Sequence, residues 1–284
     1  FVLINALAAL ILLRGELATL VVMNTTASVL VSFVVVVLIW IAARKLAREK
    51  WRPDGSLLAQ MVRYGIKFHI SILAGAIIFR ADLLVVNHFR GADEAGVYSV
   101  ATQFGMLLML LPGVIATLLF PRITAEQDAR GETTALVTRY TAFVTFICCL
   151  AAVPFSFLLP LIYGTEFTEA TRLLLILLPG VYLVGLESVL VQHFNALGLP
   201  RIIPVYWVVT LAVNVLMVFS FVPRFGAQGA ALASTVSYAL IFGLVTWRFL
   251  VATGQSFSNV FLLRRSELRQ LFSLSTFERG SLRG

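Results

Sequence analysis

Charge is scarce in this chain of 284 residues: only 13% of it is Asp, Glu, Lys or Arg, while 60% is hydrophobic. A soluble domain carries about twice that share of charged residues. With a mean hydropathy of +0.94, one soluble core cannot absorb so much apolar surface, because water-facing residues must still cover its outside. A soluble enzyme and a nucleic-acid binder are thereby excluded. Cysteine is equally scarce. The two present, Cys148 and Cys149, are adjacent within an apolar run, so there is no disulfide framework and no oxidising compartment is implied. No cluster with metal-ligand spacing, no phosphate-cradling glycine loop after a strand and no nucleophile elbow occurs, and no cofactor is expected.

What the chain has instead is long apolar runs, separated by charged or Gly/Pro-containing breaks. These predict an all-α, polytopic transmembrane bundle with spans near 19–43, 64–89, 95–120, 137–161, 171–197, 202–222 and 227–250. The runs are too long for barrel strands, which need only about 9–11 alternating residues. The opening run, Phe1–Leu13, reaches about 20 Å at about 1.5 Å per residue, against a hydrocarbon core of roughly 30 Å. It is expected to be the remainder of a helix, with the chain as the back part of a larger protein.

The 22 basic residues exceed the 14 acidic ones, giving a net charge of +8. They gather in alternate loops: Arg44, Lys45, Arg48, Lys50 and Arg52, then Arg122, Arg130 and Arg139, then Arg201, then Arg248 and the C-terminal tail. The opposite loops pair Arg14, Arg90, Arg172 and Arg224 with Glu16, Asp93, Glu94, Glu166 and Glu169. The positive-inside rule puts the first set, and the C-terminus, in the cytoplasm. Residues 44–63 form a cytoplasmic linker in this reading. Residues 251–284 form a cytoplasmic tail whose apolar face, Phe257, Val260, Phe261, Leu268, Leu271 and Phe272, is expected to lie on the membrane surface ahead of a disordered end.

An ionised side chain at mid-bilayer costs at least about 2.5–3.5 kcal/mol, so charges inside spans mark functional positions. Of the acidic residues only Asp82 and Glu187 fall inside spans, and of the basic ones only Arg80 lies deep. At 100° per residue on a straight helix 64–89, His69, Ala76, Arg80 and Asn87 make one polar stripe. Asp82 is then about 200° from Arg80 and shares a face with Ser71 and Gly75. Helix 171–197 adds Gln192, His193 and Asn195 near its inner end. Each charge also has a plainer reading: Arg80 as a packing ion pair with Asp82 or Glu187, and His69, His88 and His193 as satisfied or interfacial rings. The prolines inside spans, Pro112, Pro154 and Pro179, bend helices. Gly226, Ala230 and Ser234 make a small-residue face for close packing.

The stretch Arg63–Phe104, with Arg80-x-Asp82 followed by Gly96-Val97-Tyr98-Ser99-Val100-Ala101, resembles bacterial polysaccharide flippases of the multidrug/oligosaccharidyl-lipid/polysaccharide exporter superfamily. Pro121, Tyr163-Gly164 with Phe167, Asn195-Ala196-Leu197-Gly198, and Asn214 with Pro223, Gly226, Gly229-Ala230-Ala231 and Ser234 extend the resemblance over roughly residues 20–250. It implies two six-helix lobes around a central cavity, with residues 1–43 ending the first lobe and 64–250 forming the complete second. It implies a multi-pass protein of the bacterial inner membrane that moves lipid-linked oligosaccharide to the outer leaflet by alternating access. On that reading Arg80, with His69, Asn87 and Gln192, binds the substrate's pyrophosphate end. Asp82 and Glu187 are candidates for coupling to a monovalent cation or proton. A cation-coupled drug exporter of the same superfamily and a non-transporting scaffold for polysaccharide assembly are the alternatives.

Overall fold

The computed structural model describes residues 17–46 and 55–263. Residues 1–59 and 60–284 are two compact units. Within the described residues there are only helices and the turns between them. Six helices among them are long and apolar enough to cross a membrane, and the chain is a multi-pass, all-α membrane protein. The expected opening helix 1–13, Trp51 and the tail from residue 264 lie outside the described residues.

The first unit contains α1, Leu17–Leu46. From Val29 through Ile41 its side chains are apolar and exposed except for the half-buried Val37 and for Ser32, whose Oγ donates to the Ser28 carbonyl at 2.8 Å. Near its end Arg44 lies 3.6 Å from the centre of the Trp40 ring, a cation–π pair of the kind that suits a membrane interface. Helix α2, Gly55–Ile78, leads from the first unit into the second.

The second unit is built around α7, Thr168–Ala196, which packs on α4 (Ala92–Glu126), α5 (Glu132–Ser156) and α8 (Ile202–Thr253). A short α6, Leu159–Tyr163, and a 3-10 turn link α5 to α7. Pro112, Pro121, Pro154, Pro179 and Pro223 all sit inside helices. Pro121 does not end α4, which continues to Glu126.

Two interruptions shape the unit. The expected straight helix 64–89 starts earlier and breaks: α2 stops at Ile78, Phe79 and Arg80 form a turn, and α3 resumes as Ala81–Arg90. The Arg80 N–H reaches back only three residues, to the Ile77 carbonyl at 3.1 Å. The second interruption is at Gly226, whose φ of 60° and ψ of −141° divide α8 into arms 202–225 and 227–253. Each arm is about 36–40 Å long at about 1.5 Å per residue, enough to cross the hydrocarbon core.

The described part of the tail does not lie free. A short α9, Phe257–Phe261, is capped by Ser256 and docks on α5, where Arg139 Nε donates to the Asn259 carbonyl at 2.8 Å. Val260 is fully buried, and the Phe261 ring packs edge-on against Phe242. Of the face expected to meet lipid, Phe257 stays exposed while Val260 is taken up by protein.

Candidate functional site

A cavity of about 430 Å³ lies between α2, α4, α7 and the first arm of α8. Its walls are mostly apolar, with Phe68, Phe79, Met109 and Trp207 among them, and its polar lining is Ser71, Glu187, Ser188, Gln192 and Asn195. Helical spacing explains the grouping. Glu187 and Ser188, then Val191 and Gln192, then Asn195 recur three and four apart, so they stack on one face of α7. Gly75 brings α2 close to α8, because a Cβ there would meet the Trp207 ring at 3.3 Å.

The polar groups differ in how they are satisfied. Ser188 Oγ donates to the Gly185 carbonyl at 2.7 Å, Asn195 Nδ2 to Gln192 Oε1 at 3.2 Å, and Ser71 Oγ to the Lys67 carbonyl at 3.3 Å. Glu187 is 2% exposed, and its Oε1 has no hydrogen-bond partner among the described residues. A buried, unpartnered carboxyl oxygen is expensive, and such groups ordinarily find a donor. The cavity beside it leaves room for a ligand to supply one.

Asp82 is a contrasting case. It is equally buried, but donors from three directions converge on it. Tyr98 Oη and Ser234 Oγ donate to Oδ2, the latter at 2.9 Å, and the Leu83 N–H donates to Oδ1 at 2.7 Å. The carboxyl therefore closes the N-terminal end of α3 and ties it to α4 and the second arm of α8. The break at Phe79–Arg80 corrects the straight-helix geometry. Asp82 does not share a face with Ser71 and Gly75, which line the cavity without it.

Arg80, His69 and Asn87 are exposed on the surface of the second unit, and none of them lines the cavity. No hydrogen bond or ion pair holds the Arg80 guanidinium among the described residues, so it is not a packing pair with Asp82 or Glu187. The structure thus joins Glu187 and Gln192, sets Asp82 apart, and leaves Arg80, His69 and Asn87 each exposed outside the cavity. His193 is buried, with its ring edge-on to Phe194 and Phe249 and its Nδ1 without a hydrogen-bond partner among the described residues. Sequence reasoning missed Trp207 and Ser71 as cavity walls and Tyr98 as a partner of Asp82. A tyrosine inside a span, needing a partner for its hydroxyl, was the available signal for the last. No group of three or more His, Cys, Asp or Glu that could hold a metal occurs among the described residues.

Comparison with known proteins gives this geometry its context. The chain is 22% identical over 219 residues to a Haloferax volcanii protein named "Probable low-salt glycan biosynthesis flippase Agl15", covering 74% of this chain and 46% of that protein. It is 22% identical over 186 residues to a Shigella flexneri protein whose name describes a suspected O-antigen transporter (63% of this chain, 44% of that one). It is 24% identical over 220 residues to an Agrobacterium fabrum protein named "Probable multidrug resistance protein NorM" (71% and 46%). The chain spans less than half the length of these curated relatives. No solved structure matches it. Residues 5–172, from before α1 to the start of α7, match the model of one family, and the chain belongs to that family, the polysaccharide biosynthesis proteins.

Proposed function

We propose that the chain works in a two-lobe transporter that carries lipid-linked oligosaccharide from the cytoplasmic to the outer leaflet of a bacterial inner membrane, by alternating access. Residues 1–43 close the first lobe in this reading, residues 64–250 are the second, and 44–63 and 251–284 are cytoplasmic. One observation carries it. Arg80 lies about 15 Å along the helix from Arg90 at the span's end, is exposed, and has no partner among the described residues. A guanidinium facing lipid at that depth costs at least about 2.5–3.5 kcal/mol. Facing an aqueous cleft it stays hydrated and charged, and its planar fork suits the oxygens of a diphosphate. His69 and Asn87, on either side of the break, are exposed as well, and the similarity to glycan flippases supports the choice of substrate. Glu187 is the better candidate for coupling to a cation or proton, because Asp82 is already occupied by donors.

The test is export of lipid-linked glycan by the full-length transporter, read together with its abundance in the membrane. Arg80→Ala is expected to abolish export at normal abundance, and Arg80→Lys, which keeps the charge without the fork, to retain part of it. Export falling only in step with abundance would refute the assignment. A second reading, a cation-coupled drug exporter, draws on the similarity to NorM and on the apolar cavity with its lone carboxyl. It predicts that Glu187→Gln removes drug resistance while Arg80→Ala does not.

A further inference from the structure

The two halves of the broken span 55–90 are held very differently. The outer half, α3, is fixed at both ends. Asp82 ties it to Tyr98 and Ser234, Val86 is fully buried, and at its far end Arg90 pairs with Glu94, which accepts from the Ala227 N–H. The inner half, α2, buries only Ala74, Gly75 and Ile78 among its 24 residues, all of them next to the break.

Away from the break, Tyr64 and Lys67 tie α2 to the end of α7. Tyr64 Oη donates to the Asn195 carbonyl at 2.8 Å. Lys67 Nζ donates to the Leu199 carbonyl at 2.5 Å, with the Gly198 carbonyl at 3.4 Å. These carbonyls sit at and just beyond the C-terminal end of α7, at Ala196. The last carbonyls of a helix lack intrahelical donors and carry its negative pole, so an ammonium there is well placed. The same helix supplies one wall of the Glu187 cavity through Phe68, Ser71 and Gly75, with Phe79 of the turn beside them.

We propose that α2, from Gln60 to Ile78, is a hinged wall of the Glu187 cavity, pivoting at Phe79–Arg80 and latched shut by Lys67 and Tyr64 on the end of α7. The latch is made of side chain to main chain bonds at the mouth, where water can replace them, whereas the pivot is packed. Opening therefore exchanges the Tyr64 and Lys67 hydrogen bonds for hydrated groups and uncovers Glu187, without disturbing Asp82 or α3. This goes beyond the transport reading, since it concerns access to the cavity whatever the cavity carries.

The experiment measures thiol access in the full-length transporter, in membranes, with Cys148 and Cys149 replaced. Ser188→Cys places a thiol in the cavity wall, and Thr145→Cys, at a position 1% exposed, reports loosening of the bundle as a whole. The probe is N-ethylmaleimide. Lys67→Met is expected to raise the labelling rate of the cavity cysteine about tenfold or more, the loss of a charged hydrogen bond. Tyr64→Phe raises it less, and Lys67→Arg leaves it near the parent rate. The residue-145 thiol stays unreactive throughout. Unchanged labelling in both Lys67→Met and Tyr64→Phe overturns the latch, as does a parallel rise at residue 145. Export is not part of the readout, so a wrong substrate assignment leaves this result standing.

Discussion

Gly226→Ala tests the sharpest backbone feature of the unit. At φ 60° and ψ −141° an L side chain is strained, at a cost of about 1–3 kcal/mol. A methyl group at that position would also come within 2.0 Å of Glu94 Oε1 and 3.0 Å of Arg90 Nε. The carboxylate must move, and it then gives up its 2.6 Å bond from the Ala227 N–H. Hydrogen bonds to charged groups contribute about 1.5–3 kcal/mol. Because the Glu94 side chain is 33% exposed, the lower end of that range applies, and its ion pair with Arg90 adds only about 0–1 kcal/mol. Together these effects come to about 2.5–5.5 kcal/mol, a fall in Tm of about 5–20 °C for a domain of this size. Thermal unfolding of the purified full-length protein in detergent reads the shift. In the Glu94→Ala background the steric conflict is gone, so Gly226→Ala should cost only its backbone share, and the two changes should be less than additive. A Gly226→Ala protein melting within about 1 °C of wild type, or strict additivity, would refute the account of the kink.

Two further outcomes follow from other parts of the chain. Asp82→Asn and Tyr98→Phe should each lower membrane abundance of the full-length protein more than Glu187→Gln does, because they strand buried donors or acceptors; equal abundance across the three would contradict the structural role given to Asp82. Impermeant thiol labelling of intact cells, with Cys148 and Cys149 replaced, should mark a cysteine at Thr165 but not one at Ser56, and the reverse pattern would invert the orientation drawn from the basic loops.

Hydropathy and length were enough to establish a multi-pass helical membrane protein, because apolar runs of this length have no other stable home. The rarity of charge in those runs singled out Arg80, Asp82 and Glu187, since each costs free energy wherever it sits in the bilayer. Which way each one faces was not legible. A helix in lipid shows apolar side chains both to its neighbours and to the hydrocarbon, so periodicity does not separate a packed face from a lipid-facing one. The resemblance to flippases likewise marked residues without placing them. Only the tertiary structure showed the break at Phe79–Arg80, which turns Asp82 into the donors of Tyr98 and Ser234 and leaves Arg80 outside. Only it brought Ser71, Glu187 and Trp207 around one cavity, from segments so far apart in sequence that no local spacing links them. The identities of the charged residues were set by the chain; their partners were decided by how the broken span 55–90 and the kinked α8 pack with α4 and α7.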